Sequence, residues 1–180
     1  MDTALRRRFD FIEMMPDTSV LEDESGDAYS ILVDSKRIDL VKLLRTLNER
    51  IVALYDREHT LGHAFFMPVI NAIKLNEHVS ALAELGKTFQ NKIIPLLAEY
   101  FFEDWQKIRL VLADNQKEQM GIEPIIPRQP VNYHNLFGDT EEFGEFDDQL
   151  YEYQLTPVGA PIWDEVETYT AMYSSYQAAG

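Results

Sequence analysis

Between Ile38 and Tyr55 the apolar residues Val41, Leu44, Leu47, Ile51 and Leu54 recur at spacings of three and four, which places them on one face of a helix. Leu40, Leu43 and Tyr55 widen that stripe, so the helix needs more than one neighbour to cover it. Asp34 or Ser35 is positioned to cap its start. The stretch from Glu77 to Leu112 is too long and too interrupted for one straight helix. Gly86 offers a C-terminal cap, and Pro95 would remove a backbone hydrogen bond to Asn91. Broken at both, the stretch predicts three helices. The first covers about 77–85. The second covers 88–101, with Phe89, Ile93, Leu96, Leu97 and Tyr100 inward. The third covers 103–112, around Trp105, Ile108 and Leu112, and Glu103 and Asp104 suit its positive end. Short connections favour antiparallel neighbours, and the expected fold class is mainly α, a helical bundle.

The flanks have another texture. Residues 9–15 alternate like a strand that Pro16-Asp17 ends, and residues 17–30 are acidic and turn-rich, with Gly26 in their middle, which reads as a loop. Beyond Gly121, Pro124, Pro127 and Pro130 describe an extended linker, followed by an acidic, glycine-punctuated stretch from Gly138 to Asp148. Tyr151, Tyr153 and Leu155 then alternate like a short strand. After Pro161, Val166, Tyr169, Tyr173 and Tyr176 share a helical stripe, which predicts a tail that docks its aromatics on the body. Three parts result: 1–16, the helical 17–120, and an acidic extension at 121–180. No internal repeat is present.

Charge limits the partners. The formal net charge is -15, and all 16 Lys and Arg fall at or before Arg128, leaving the last 52 residues with ten acids and no base. Phosphate backbones repel such a surface at long range, so no direct nucleic-acid contact is expected. No apolar run approaches the ~20 residues of a membrane span, and no membrane partner is expected. Zero cysteines exclude disulfides and thiolate metal sites, and the N-terminus lacks the apolar core of a secretory signal, so the cytoplasm is the expected compartment.

Three groups are candidates for chemistry. Arg6, Arg7 and Arg8 are either a charged turn solvated or paired with surplus carboxylates, or a phosphate contact, since guanidinium forks match phosphate oxygens. His59 and His63, spaced i and i+4 with Glu58 nearby, suggest a metal pair, but no third ligand is evident, the H-E-x-x-H order is absent, and no metal is expected. His63 can equally hydrogen-bond a backbone carbonyl between helices. The aromatics Tyr100, Phe101, Phe102 and Trp105 lack the basic groove of a base-stacking platform and are expected in the core. The acids between Asp139 and Asp148 lack a calcium-loop pattern and read as a solvated or partner-facing loop.

Three strings carry a resemblance. D-T-A-L-R-R-R-F, residues 2–9, before a strand looks like the arginine-finger motif, box VII, of AAA+ NTPases. Residues 57–67, R-E-H-T-L-G-H-A-F-F-M, and 93–105, I-I-P-L-L-A-E-Y-F-F-E-D-W, resemble segments of the McrB family, the GTP-hydrolysing motor subunits of 5-methylcytosine-specific restriction systems. The resemblance covers roughly residues 2–115. It implies the last strand of a nucleotide-binding core and the helical lid of an AAA+ motor.

By the same resemblance Arg7 and Arg8, with Arg6 third, reach a neighbouring subunit's nucleotide in trans, and Gly62 and His63 lie where such proteins carry sensor 2. The implied partners are like subunits in a homo-oligomeric ring and a McrC-type nuclease. The implied cofactor is GTP or ATP with Mg in the full-length parent, and none for this chain alone, because no GxxxxGK[ST] is present. The alternative is a freestanding, non-catalytic helical interaction module.

Overall fold

The structure, a computed structural model, describes residues 16–132, 135, 138 and 150–174. Arg6, Arg7, Arg8, the strand expected over residues 9–15, the acids of 139–148 and Tyr176 lie outside the described residues.

A 3-10 turn at Thr18–Leu21 opens the body, capped by Asp17, whose carboxylate accepts from the Ser19 N–H at 2.9 Å. Strands β1 (Ser30–Val33) and β2 (Lys36–Asp39) then pair antiparallel, with Ile31 opposite Ile38. Asp34 and Ser35 make the two-residue turn between them, both at positive φ (47° and 64°), the backbone whose twist matches the flanking strands. This corrects the expectation that either residue caps the following helix. Asp39 does so instead, its side chain accepting from the Lys42 N–H at 2.9 Å. The misreading has a simple cause: β2 feeds directly into the helix, so Ile38 joins two periodicities.

Helix α1 (Leu40–Leu54) buries Leu40, Val41, Leu43, Leu44, Leu47 and Ile51, most of the stripe expected from the spacing, while Leu54 is half-buried and Tyr55, expected to widen the stripe, is exposed. A 3-10 turn at His63–Phe66 leads into α2 (Met67–Lys74), a helix not expected from the sequence although Pro68 in its first turn and Val69, Ile70 and Ile73 mark it. Helix α3 (His78–Thr88) does not end at Gly86. It passes into a π-helical turn at Phe89–Ile93 and on into α4 (Ile94–Tyr100) as one rod. The Ile94 N–H reaches back five residues to the Phe89 carbonyl, so the ladder changes register just before Pro95, which has no N–H to give. Two shorter helices follow: α5 (Trp105–Val111), capped by Asp104 through the Lys107 N–H at 3.1 Å, and α6 (Asp114–Met120).

The proline-rich stretch is not a free linker. Ile125 and Ile126 are fully buried, and their N–H groups donate to the Asp114 carboxylate at 3.0 and 2.8 Å. Asp114 also accepts from Lys117 at 3.0 Å, both side chains being wholly buried. Arg109 completes this joint by donating to the Ile126 carbonyl and to Glu118. Burial pulls Lys117 below the usual lysine range, and the adjacent Asp114 charge opposes that pull. Strand β3 (Arg128–Pro130) pairs antiparallel with β4 (Tyr151–Tyr153), the short strand expected of the tail.

The tail docks as the aromatic stripe predicts. A 3-10 turn at Pro161–Asp164 and helix α7 (Val166–Thr170) bury Ile162, Trp163, Val166 and Tyr169 in the same core as α1 and α3. Gly86 is the contact point. A Cβ there would lie 3.1 Å from the Trp163 carbonyl oxygen and 3.3 Å from the Tyr169 hydroxyl, so the glycine serves close approach rather than helix termination. The Tyr169 hydroxyl donates to that same carbonyl at 2.7 Å, and burial pushes it far above the usual phenol range. Tyr173 reaches back to β2, donating to the Arg37 carbonyl and accepting from the Asp39 N–H at 3.1 Å. The described residues are thus mainly α around one core that the tail completes. None of their helices is long and apolar enough to cross a membrane.

Candidate functional site

The loop between α1 and the 3-10 turn at His63 is tied to α1, at its end next to His63, by Asn48. Asn48, half-buried on α1, donates its amide to the Leu61 carbonyl at 3.0 Å and accepts from the Leu61 N–H at 2.7 Å. That two-point grip, together with the full burial of Leu61, fixes where Gly62 and His63 emerge. Gly62 has extended backbone (φ -77°, ψ 152°) and open space where a Cβ would stand, so its glycine identity is not required by local geometry.

His63 begins the 3-10 turn. Its Nδ1 is cut off from solvent and has no hydrogen-bond partner among the described residues, so among them the backbone carbonyl weighed for it from the sequence is not there at Nδ1. Such an orphan costs about 1–3 kcal/mol unless something outside the described residues satisfies it. His63 also lies close enough to Asp17 to help hold that carboxyl below its usual range, although hydrogen bonds from Ser19 are the larger cause. Asp17 is therefore an electrostatic neighbour of His63 and not its hydrogen-bond partner.

Beside this pair is a groove of about 390 Å³ between the Asp17 segment and α1, lined by Pro16, Thr18, Arg45, Asn48, Glu49, Val52 and Thr60. Its size falls within the range of small-ligand sites. The exposed Arg45 forms no ion pair or hydrogen bond among the described residues, and it shares a mostly apolar groove with the Glu49 carboxylate one helical turn away. Chemically, the arrangement can seat a flat, partly apolar group and offer a guanidinium to an anion attached to it.

The metal pair does not form. His59 sits in the turn after α1, not on a helix with His63, and its Nδ1 meets the Asp56 carboxylate at 2.7 Å. Its ring is held edge-on by Tyr55 and Tyr100, with centroids at 4.5 and 4.8 Å. The His59 hydrogen bond is the largest reason Asp56 lies below the usual carboxyl range. Among the described residues no group of three or more His, Asp or Glu is placed to hold a metal ion.

With the loop, the half-buried histidine and the groove located, the helices around them can be compared with known proteins. Residues 39–109 match the family model of the McrB alpha-helical lid domain. No curated protein and no solved structure is matched by the chain. The McrB lid match begins at the Asp39 cap and ends within α5, and it contains Asn48, Gly62, His63 and the π turn. The arginines at 6–8 and everything from α6 onward lie outside it.

Asn48, Arg45 and Asp17 are parts of this site that sequence reasoning did not find. Arg45 was legible in principle, as a cation on the polar face of an amphipathic helix. Asn48 was not, because its role depends on a loop thirteen residues away.

Proposed function

We propose that this chain supplies the lid of a McrB-like AAA+ NTPase and that its Gly62–His63 loop and adjoining groove face the nucleotide bound to the motor's core. The observation that carries the reading is the buried, unpartnered His63 Nδ1 inside the stretch that matches the McrB lid. A polar atom left unsatisfied within the lid is accounted for if a ligand or a core segment approaches it during the nucleotide cycle. Arg45 then offers positive charge to the same ligand, GTP or ATP with its Mg, while His63 and Asp17 respond to the phosphates' charge.

In this reading Arg7 and Arg8, with Arg6, precede the lid and act on the nucleotide of the next subunit in a homo-oligomeric ring. An arginine supplied across a subunit boundary neutralises charge that develops as the terminal phosphoryl group departs, an effect of about 10³ to 10⁵ in turnover. The hydrolysis would serve a McrC-type nuclease within a DNA restriction system, with DNA recognition left to other parts of the assembly. The acidic balance of the chain favours that division of labour.

The test is a ring containing the complete nucleotide-binding core. Arg7→Ala or Arg8→Ala is expected to abolish hydrolysis while sparing nucleotide affinity. Wild-type turnover in both variants would remove the role. Mixing the arginine variant with subunits whose P-loop is disabled is expected to restore part of the turnover, as an arginine acting in trans requires.

A further inference from the structure

We propose that His59 is a proton-operated latch on the turn that follows α1, and that through the next residue, Thr60, it sets one wall of the groove beside His63. The second clause rests on the nucleotide reading of that groove given above; the latch itself does not.

The turn has two ties of unlike chemistry. At Leu61 the Asn48 amide makes both bonds, at 3.0 and 2.7 Å, between groups that carry no charge. Asp56 gathers the other tie on a single oxygen. Its Oδ1 accepts from the Glu58 N–H at 2.8 Å and the His59 N–H at 3.1 Å, and it meets the His59 Nδ1 at 2.7 Å. That last distance is the length of a charge-assisted N–H···O bond. Histidine is the side chain whose charge ordinarily changes between about pH 5 and 8, so of the two ties only this one is conditional.

The His59 ring carries the tie across to another element. Tyr55 and Tyr100 meet it edge-on with centroids at 4.5 and 4.8 Å, and Tyr100 is the last residue of α4. Tyr55 in turn meets Phe101 edge-on at 5.7 Å. A ring held between two aromatics gives up both contacts if it turns Nδ1 away from Asp56, so the gain or loss of a proton acts on Asp56 instead of being lost to rotation.

The ionisable groups around His59 are Asp56, Arg57 and Glu58 on its own turn, the Tyr55 phenol just past α1, and Glu99 and Tyr100 on α4. The His59 hydrogen bond holds Asp56 below the usual carboxyl range, and burial holds the Tyr100 phenol above its own. Neither changes charge in the histidine interval. A protonated imidazole facing the ionised carboxylate makes a bond roughly twice as strong as a neutral one. The latch therefore tightens as pH falls through that interval and loosens as pH rises. Thr60 lines the groove, so the freedom of that wall follows the latch while the Leu61 end stays fixed.

Amide–water exchange by NMR on the whole chain, corrected for the pH dependence of intrinsic exchange, tests the latch. In wild type the protection of the Glu58 and His59 N–H groups is expected to rise about threefold from about pH 8 to about pH 5.5, a gain suited to a part-exposed ion pair, while that of the Leu61 N–H stays constant. His59→Asn keeps a neutral donor near the Nδ1 position and is expected to hold both amides at one protection throughout. Asp56→Asn, which keeps an acceptor oxygen and removes the charge, is expected to flatten the response as well. Unchanged protection in wild type, a rise that persists in His59→Asn, or an equal rise at Leu61 would each overturn the latch.

A ring with its complete nucleotide-binding core separates the latch from the groove. The difference in nucleotide affinity between wild type and His59→Asn is expected to vary with pH in step with the exchange. A flat difference with the exchange response intact would overturn the placement of the nucleotide in the groove, and Thr60's part with it, and would leave the latch standing.

Discussion

Asp114 and His63 both carry polar atoms shut away from water, and the fold treats them in opposite ways. Asp114 receives a lysine and two backbone N–H groups, which tie α6 to the buried isoleucines that follow it. The His63 Nδ1 receives nothing among the described residues. The difference separates the two kinds of work a buried polar group can do. The Asp114 joint, with every main bond made within the chain, gives rigidity and register to the segment behind the lid. His63 stands beside a groove whose Arg45 makes no ion pair among the described residues, in a loop gripped by Asn48 at Leu61, and under the proposed reading its missing bond is the one a ligand supplies.

Substitutions break or sharpen that contrast. The largest effect is expected at the satisfied joint. Asp114→Ala leaves a wholly buried lysine without its counter-charge and two buried N–H groups unpaired, and it should cost about 3–5 kcal/mol in urea unfolding. Gly86→Ala comes next. The helix gains about 1 kcal/mol of propensity, but the new methyl presses on a carbonyl already fixed by the Tyr169 hydrogen bond, so a net loss of about 1 kcal/mol is expected. His63→Ala should change stability by less than about 1 kcal/mol, because relief of the unsatisfied Nδ1 offsets the packing lost with the half-buried ring.

The smallest effect is a pH dependence. Asp56, depressed by its hydrogen bond to His59, contributes stability that is fully present above its unfolded pKa near 3.8 and lost as pH falls through its lower folded value. Asp56→Asn should therefore flatten the acid limb of the unfolding midpoint and leave the neutral region nearly unchanged. Steeper acid loss in the variant would show that another carboxyl governs that limb.

The same contrast marks what the sequence could reveal. The α1 stripe was legible because six buried residues repeat on one helical face, and the aromatic stripe of the tail was legible for the same reason. The β1–β2 hairpin was not, because its strands are four residues each and the second merges with the helix it precedes. Gly86 was noticed but given the wrong cause, since a glycine that ends a helix and one that admits a neighbouring carbonyl look alike in sequence. Ile125 and Ile126 were hidden by the prolines around them. Phe102 is 83% exposed against 3% for Phe101, which corrects the expectation of a shared core: adjacent aromatics give no sign of which one the backbone turns outward. The site itself was half visible: His63 stood out, whereas Asn48, Arg45 and Asp17 became parts of one place only when the loop folded against α1.

The most direct measurement pairs turnover and stability in one variant. A ring bearing His63→Ala, assembled with its complete nucleotide-binding core, is predicted to unfold like wild type and to lose at least about tenfold in nucleotide turnover, since a polar contact to developing charge is removed without a structural bond. Turnover equal to wild type, or a loss of folding stability as large as the loss of activity, would contradict the assignment of this loop to the nucleotide.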